Sequence, residues 1–154
     1  MSDELTLREI DLTDTGFIVG CRSNPDVYRF FKSPHKITEQ EHINWFSNSY
    51  LRDDSKRSWI ILGSEGNRMG VVGASLEEDN SAEISYILSP EYYGHGYATE
   101  AVTKVIAFCK EEWNCSKVIA EIHKDNKASI NLVTRLGFTL SSTDEDFVIY
   151  SRLL

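Results

Sequence analysis

Two glycines flank a histidine in Gly94-His95-Gly96-Tyr97-Ala98-Thr99, between a β-rich run ending at Leu88 and an amphipathic run beginning near Ala98. Glycine lets a backbone approach a ligand closely. The first amides of a helix have no partner inside it and carry the positive end of its dipole. A strand, glycine turn and helix start therefore predict an anion site, phosphate above all. His95, enclosed by the glycines, would contribute its backbone N–H rather than its imidazole. Glu83, entering a strand, reads either as a base or as a solvated carboxylate. His35 and His123 have no second ligand at metal spacing, so no metal site is predicted. Cys109 falls on the apolar stripe of the long helix and reads as core rather than as a nucleophile.

These residues need elements to hold them. The alternation over 5–10 predicts a first strand, and a short helix follows over 14–21 with Phe17, Ile18 and Cys21 on one face. Asn24-Pro25 punctuates it. Thr38-Glu39-Gln40-Glu41 is a capping-box pattern, and Ile43, Phe46 and Tyr50 follow at helical spacing, so a second helix should run to about Leu51. Strands over 58–63, 69–76 and 82–88, joined at Glu65-Gly66-Asn67 and Asp79-Asn80, predict an antiparallel meander. Ala98, Ala101, Val102, Val105, Ile106, Cys109 and Trp113 form the buried stripe of a long helix whose other positions carry Glu100, Lys104, Lys110 and Glu111. A strand over 117–123 comes next. A helix capped by Asp125 or Asn126 then turns Leu132, Val133 and Leu136 inward and ends at Gly137. Strands over 138–142 and 147–153 close the chain. The fold class is α+β (mixed): about seven mostly antiparallel strands flanked by four helices, with one strand–helix–strand unit over 82–123. Ligands favour the place where such a sheet changes character, beyond the carboxyl end of a strand.

The composition bounds the function. The 154 residues are 41% hydrophobic and 26% charged, which predicts one globular domain over 1–154. No run of about 18 apolar residues occurs, so no membrane partner is predicted. Met1-Ser2-Asp3-Glu4 is acidic and lacks an apolar stretch, which argues against a secretory signal. Cys21, Cys109 and Cys115 have no paired spacing and read as free thiols in a reducing compartment, so the predicted location is cytoplasmic. With 16 Lys and Arg against 24 Asp and Glu, the net charge is −8, which disfavours nucleic acid as a partner. A single anionic cofactor held by backbone amides remains compatible with that charge.

The run from Tyr86 to Ala101 resembles the acetyl-CoA-binding motif of the GNAT superfamily of N-acetyltransferases, written Gln/Arg-x-x-Gly-x-Gly/Ala. Gly96 and Ala98 match its small positions, and Tyr93 stands where Gln or Arg is usual. Aromatic residues there fit the branch that resembles ribosomal-protein N-terminal acetyltransferases. Glu121-Ile122-His123-Lys124-Asp125-Asn126-Lys127-Ala128-Ser129, continuing to Arg135-Leu136-Gly137-Phe138, is similar to that branch's fifth strand and following helix. The resemblance covers essentially the whole chain.

What it implies is specific. The fourth and fifth strands should splay apart around the pantetheine arm of acetyl-CoA, the implied cosubstrate. Backbone groups near Ile87 and Leu88 would bind pantetheine and polarise the thioester, an oxyanion-type role. Amides of Gly94, His95, Gly96, Tyr97, Ala98 and Thr99 would hold the pyrophosphate, and Asn126 would reach pantetheine or its phosphate. Glu121 matches the branch's proposed general base, and Ser129 a serine proposed to protonate the leaving thiolate; Val133 stands where many relatives place a tyrosine for that task. Each has a plainer reading: Glu121 as a paired strand carboxylate, Ser129 as a first-turn serine, Asn126 as an N-cap. Arg22-Ser23-Asn24-Pro25-Asp26-Val27, Ile37 to His42 and Trp45-Phe46 resemble acetyltransferases of nucleotide-linked amino sugars and of protein N-terminal α-amines. The acceptor is accordingly a small-molecule or peptide amine, with a nucleotide-linked amino sugar or another small amine favoured, and a homodimer is compatible with the sequence. A non-catalytic acyl-CoA sensor on the same fold is the alternative of another class.

Overall fold

The computed structural model describes residues 5–32 and 34–154; Met1 to Glu4, read above for its lack of a signal, lies outside them. Strands β1 (Thr6–Glu9), β2 (Lys56–Leu62), β3 (Arg68–Leu76), β4 (Ser81–Leu88), β5 (Lys117–His123), β6 (Thr139–Asp144) and β7 (Phe147–Leu153) form one sheet in the order β1-β2-β3-β4-β5-β7-β6. The helices are α1 (Thr15–Arg22), α2 (Pro25–Tyr28), α3 (Glu39–Asn48), α4 (Tyr97–Glu111) and α5 (Lys127–Arg135), and all but α2, which contacts α1, pack on the sheet. The α+β class and the seven strands are as the sequence predicts. The helix number is not: five α-helices occur among the described residues, where the sequence predicts four. Asn24 does more than end α1. Its side chain accepts from the Asp26 amide at 2.9 Å, and Pro25 sits at the first helical position, so the pair starts the one-turn α2. The capping box of α3 is present as read, with Thr38 Oγ1 accepting from Glu41 N at 3.1 Å and the Glu41 carboxylate accepting from Thr38 N at 3.0 Å. Helix α4 stops at Glu111, short of Trp113, whose ring packs edge-on to Phe108 at 5.1 Å beyond the helix end.

Side-chain alternation along the strands divides the core between two faces. On one face Ile60 packs with Ile10, Ile18, Phe46 and Tyr50, under α1 and α3. On the other, Ile61, Met69, Val72, Ile84 and Val118 pack against the stripe Ala101, Val102, Val105, Ile106 and Cys109 of α4. The three cysteines are buried and free. Burial pushes the Cys109 thiol up to about 12, so it stays protonated at neutral pH and behaves as core. No helix among the described residues is long and apolar enough to cross a membrane.

One pairing positions the site. Every strand pair is antiparallel except β4 with β5, and that parallel pair spans only Ser81 with Lys117, Ala82 with Val118 and Glu83 with Ile119. Beyond it β4 stays on β3 as far as Leu88 and β5 stays on β7 as far as His123. The sheet forks.

A buried charge fixes the edge on which α1 stands. Asp14 is fully buried and accepts from Arg8 Nη2 at 2.7 Å, Arg68 Nε at 2.9 Å and the Asp11 amide at 2.8 Å, which ties β1, β3 and the turn before α1 together. Burial alone would raise its carboxyl pKa. The bonds to Arg8, Asp11 and Arg68 outweigh that, and the net shift is downward. A depressed carboxyl pKa contributes stability above the unfolded value near 3.9, and that stability is lost as pH falls through the folded value. Asp14→Ala is expected to cost about 2 kcal/mol in urea unfolding at neutral pH, less than a wholly buried pair because both arginines keep water contact. The difference between variant and parent should shrink below pH ~4.

Candidate active site

The glycine turn follows the strand that ends the meander. Gly94 and Gly96 hold φ of +83° and +80°, a left-handed backbone that side chains disfavour, and a Cβ at either would meet nothing within 4 Å. Gly96 is the N-cap of α4 and offers no side chain to cap it; the first bond of the helix runs from Glu100 N to Gly96 O at 3.1 Å. The amides of Tyr97, Ala98 and Thr99 thus belong to an open helix start with clear space in front.

A cleft of about 1120 Å³ runs from this turn through the fork. Its wall includes residues from both faces of β4, with Glu83, Ser85 and Ile87 on one and Ile84, Tyr86 and Leu88 on the other. A single cleft can touch both faces of one strand only past an unpaired edge. The fork therefore joins the α4/α5 side of the sheet to the α1/α3 side, so two substrates could meet from opposite faces.

On the α1/α3 face stand the carboxylates. Glu83 is half-buried in the last pair before the fork, and Glu121 lies on the same face of β5 one step past it. Burial, and then the charges of Glu121 and Glu77, push the Glu83 carboxyl above its ordinary range, against the pull of Lys32 and Lys56. Glu121 Oε1 accepts from Lys32 Nζ at 2.6 Å, with the two side chains 23% and 64% exposed. Lys32 Nζ also lies 5.7 Å from the centroid of the Phe147 ring. Phe147 continues through His123 to Phe30 at ring distances of 5.3 Å and 5.6 Å, an aromatic wall beside the carboxylates.

Further along this face two buried donors lack partners. Arg22 Nε and His42 Nε2 are buried without a hydrogen-bond partner among the described residues. Arg22 makes no ion pair there either, and its guanidinium sits over the Phe31 ring at 5.4 Å. Burial lowers the pKa of both groups, and the Arg22 charge lowers that of His42 further. Both line the cleft.

On the α4/α5 face, Asn126 caps α5, its side-chain oxygen accepting from Ser129 N at 3.3 Å. That leaves the carboxamide nitrogen and the second lone pair of the oxygen for a ligand. Ser129, in the first turn of α5, borders the cleft, and its carbonyl accepts from Tyr86 Oη at 3.4 Å. Val133, at the position where many relatives place a tyrosine, is buried in the core.

The structure thus brings Ile87, Leu88, Gly94, Gly96, Ala98, Thr99, Glu121, Asn126 and Ser129 to one cleft. It does not bring the side chains of His95 and Tyr97 there. Their rings stack on each other at 5.5 Å, and Tyr97 borders a separate cavity of about 150 Å³ with Tyr92, so only their backbones can serve the turn. Sequence reading missed Lys32, Tyr86, Arg22 and His42 as individual cleft residues. Tyr86 had a signal in its place on β4; the other three face the cleft only through long-range packing. No group of three or more His, Cys, Asp or Glu able to hold a metal occurs among the described residues.

Fold and cleft together place an open helix start on one side of a forked sheet and a pair of carboxylates on the other. A family model described as "Acetyltransferase (GNAT) domain" matches residues 4–139, and the chain belongs to that family. It is 27% identical over 151 residues to an uncharacterised N-acetyltransferase of Bacillus licheniformis, covering 95% of this chain and 85% of that protein. It is 24% identical over 143 residues to spermidine N(1)-acetyltransferase of Vibrio cholerae, covering 90% and 80%. The crystal structure of spermidine N-acetyltransferase from Vibrio cholerae in complex with CoA and spermine superposes with a TM-score of 0.86 at 20% identity, over 97% of this chain and 95% of that one. The protein is an acetyl-CoA-dependent N-acetyltransferase, and the open glycine turn before α4 fits the phosphates of that cosubstrate.

Gly96→Val is expected to strain the left-handed cap and put a side chain into the open space before α4. CoA affinity measured by calorimetry should fall about tenfold or more, close to 1.4 kcal/mol, with the circular dichroism spectrum kept. Unchanged affinity would remove the turn from the cofactor site.

Proposed function

We propose that the protein acetylates a small molecule bearing a primary amine, with Glu121 receiving the amine's proton at the fork. The observation that carries this reading is the Lys32–Glu121 contact at 2.6 Å: the cleft holds a primary ammonium against the carboxylate that a base would use. The similarity to the spermidine N(1)-acetyltransferase of Vibrio cholerae supports a small amine of this kind.

In this reading acetyl-CoA supplies an activated acetyl thioester. Amides of Gly94 to Thr99 hold its pyrophosphate through the helix-start donors. The Asn126 carboxamide nitrogen reaches the pantetheine arm, and backbone groups of Ile87 and Leu88 bind along it and polarise the carbonyl. Glu121 takes a proton from the acceptor ammonium so that the nitrogen can attack. Ser129 delivers a proton to the departing sulfur, and the half-buried Tyr86 hydroxyl steadies α5 beside it.

A second reading keeps the nucleotide-linked amino sugar as the acceptor. Arg22, half-buried with its Nε unpartnered and in no ion pair among the described residues of a chain of net charge −8, favours an acceptor that carries an anionic group as well as an amine. Spermidine lacks such a group.

Thiol release from acetyl-CoA with spermidine, a nucleotide-linked amino sugar and a short peptide with a free α-amine separates these acceptors. Glu121→Gln is expected to lower kcat about 10²-fold with CoA affinity unchanged. Parent-like kcat in that variant would pass the role to Glu83. A base works only when ionised, so activity carried by Glu83 would then fall on acidification through a value above the ordinary carboxylate range, and Glu83→Gln would abolish that limb.

A further inference from the structure

We propose that Lys32 is an acetylation site of the protein on itself: in the absence of acceptor, its Nζ occupies the amine subsite and receives the acetyl group from acetyl-CoA bound in the same chain. The inference rests on Glu121 as the base that serves the acceptor.

Three observations place Lys32 there. Its Nζ donates to Glu121 Oε1 at 2.6 Å, within the cleft that also contains the glycine turn and the fork. The ammonium is held by a carboxylate and by an aromatic face, with Phe147 at 5.7 Å, and this is how an acceptor ammonium would be recognised. Its side chain is 64% exposed, and an exposed ion pair contributes little stability, so the pair is not needed to hold the fold together. An exposed lysine whose only ion pair among the described residues is with the candidate base is placed like a substrate.

The hydrogen bond to Glu121 raises the Lys32 pKa, so the side chain arrives as ammonium and must lose a proton to react. Glu121 accepts that proton. The freed nitrogen bonds to the acetyl carbonyl carbon, the carbon–sulfur bond breaks and CoA leaves. The products are an N-acetyl-lysine and a thiol; of the two protons lost from nitrogen, one ends on sulfur and the other in solvent. Being intramolecular, the step gains from high effective concentration. The product lacks the charge that competes with an acceptor for Glu121, so the mark opens the amine subsite.

The test is site-resolved mass spectrometry of the full chain incubated with acetyl-CoA and no acceptor. Lys104, on the exposed face of α4, reports the background acylation of an ordinary surface lysine. Acetylation of Lys32 is expected at least about tenfold faster than of Lys104, at a fractional rate independent of protein concentration. Lys32→Arg keeps a cation for Glu121 but removes the reactive amine, and should abolish the single equivalent of acceptor-independent thiol release. Equal rates at the two lysines, a rate that rises with protein concentration, or thiol release retained in Lys32→Arg would each overturn the proposal. Thiol release with spermidine, a nucleotide-linked amino sugar and a free-amine peptide, followed in parallel, separates the two claims. Turnover of any of them without modification of Lys32 defeats this inference alone; no turnover of any and no modification defeats the small-amine reading with it.

Discussion

The structure turns on the parting of β4 from β5. Each strand keeps its outer partner to its end, β3 for one and β7 for the other, while their mutual pairing stops at Glu83 and Ile119. Backbone groups on the facing edges are left without sheet partners in the middle of a sheet, where such groups are normally bonded. An extended polar chain with amide groups of its own is suited to complete them. The same parting exposes both faces of β4 to one cleft and so brings the open start of α4 and the carboxylates of the opposite face into one site.

Charge is distributed to match. A chain of net charge −8 is a poor host for a polyanion if side chains must bind it. The turn at Gly94 and Gly96 offers backbone donors and the helix dipole, which need no basic residue to face an anion. On the far side Glu83 and Glu121 make a carboxylate pair at the fork, and burial of Glu83 beside Glu121 raises its affinity for a proton. Arg22 Nε and His42 Nε2 stand apart as buried donors without partners among the described residues, on the side that α1 and α3 cover.

What was legible in the sequence is what local periodicity and capping control. Strands β5 and β7 coincide with the predicted 117–123 and 147–153, and Thr38 and Asn126 cap the helices expected of them. The α4 stripe from Ala101 to Cys109 is buried as its spacing implies. Helix α2 escaped because one turn has no period to detect, and Asn-Pro reads equally as the end of one helix or the start of another. Glu83 stayed open between a base and a solvated carboxylate because nothing local marks it as the last pair before the fork. The partnership of Lys32 with Glu121 joins an irregular segment after α2 to the middle of β5, and only tertiary packing creates it. The glycine turn was visible because its left-handed backbone and the helix start behind it leave their trace in local glycine and helix signals rather than in side-chain partners.

The central claim is that the fork and the glycine turn form one cofactor site. Hydrogen–deuterium exchange with and without CoA tests it most directly, because the amides in question are those of 84–88 on β4, 120–123 on β5 and 94–99 at the turn. The expected result is that CoA slows exchange at 94–99 and along the facing edges of the fork while leaving β1, β2 and β6 unchanged. Binding of CoA with no protection at either segment, or with protection confined to the outer strands, would contradict the account.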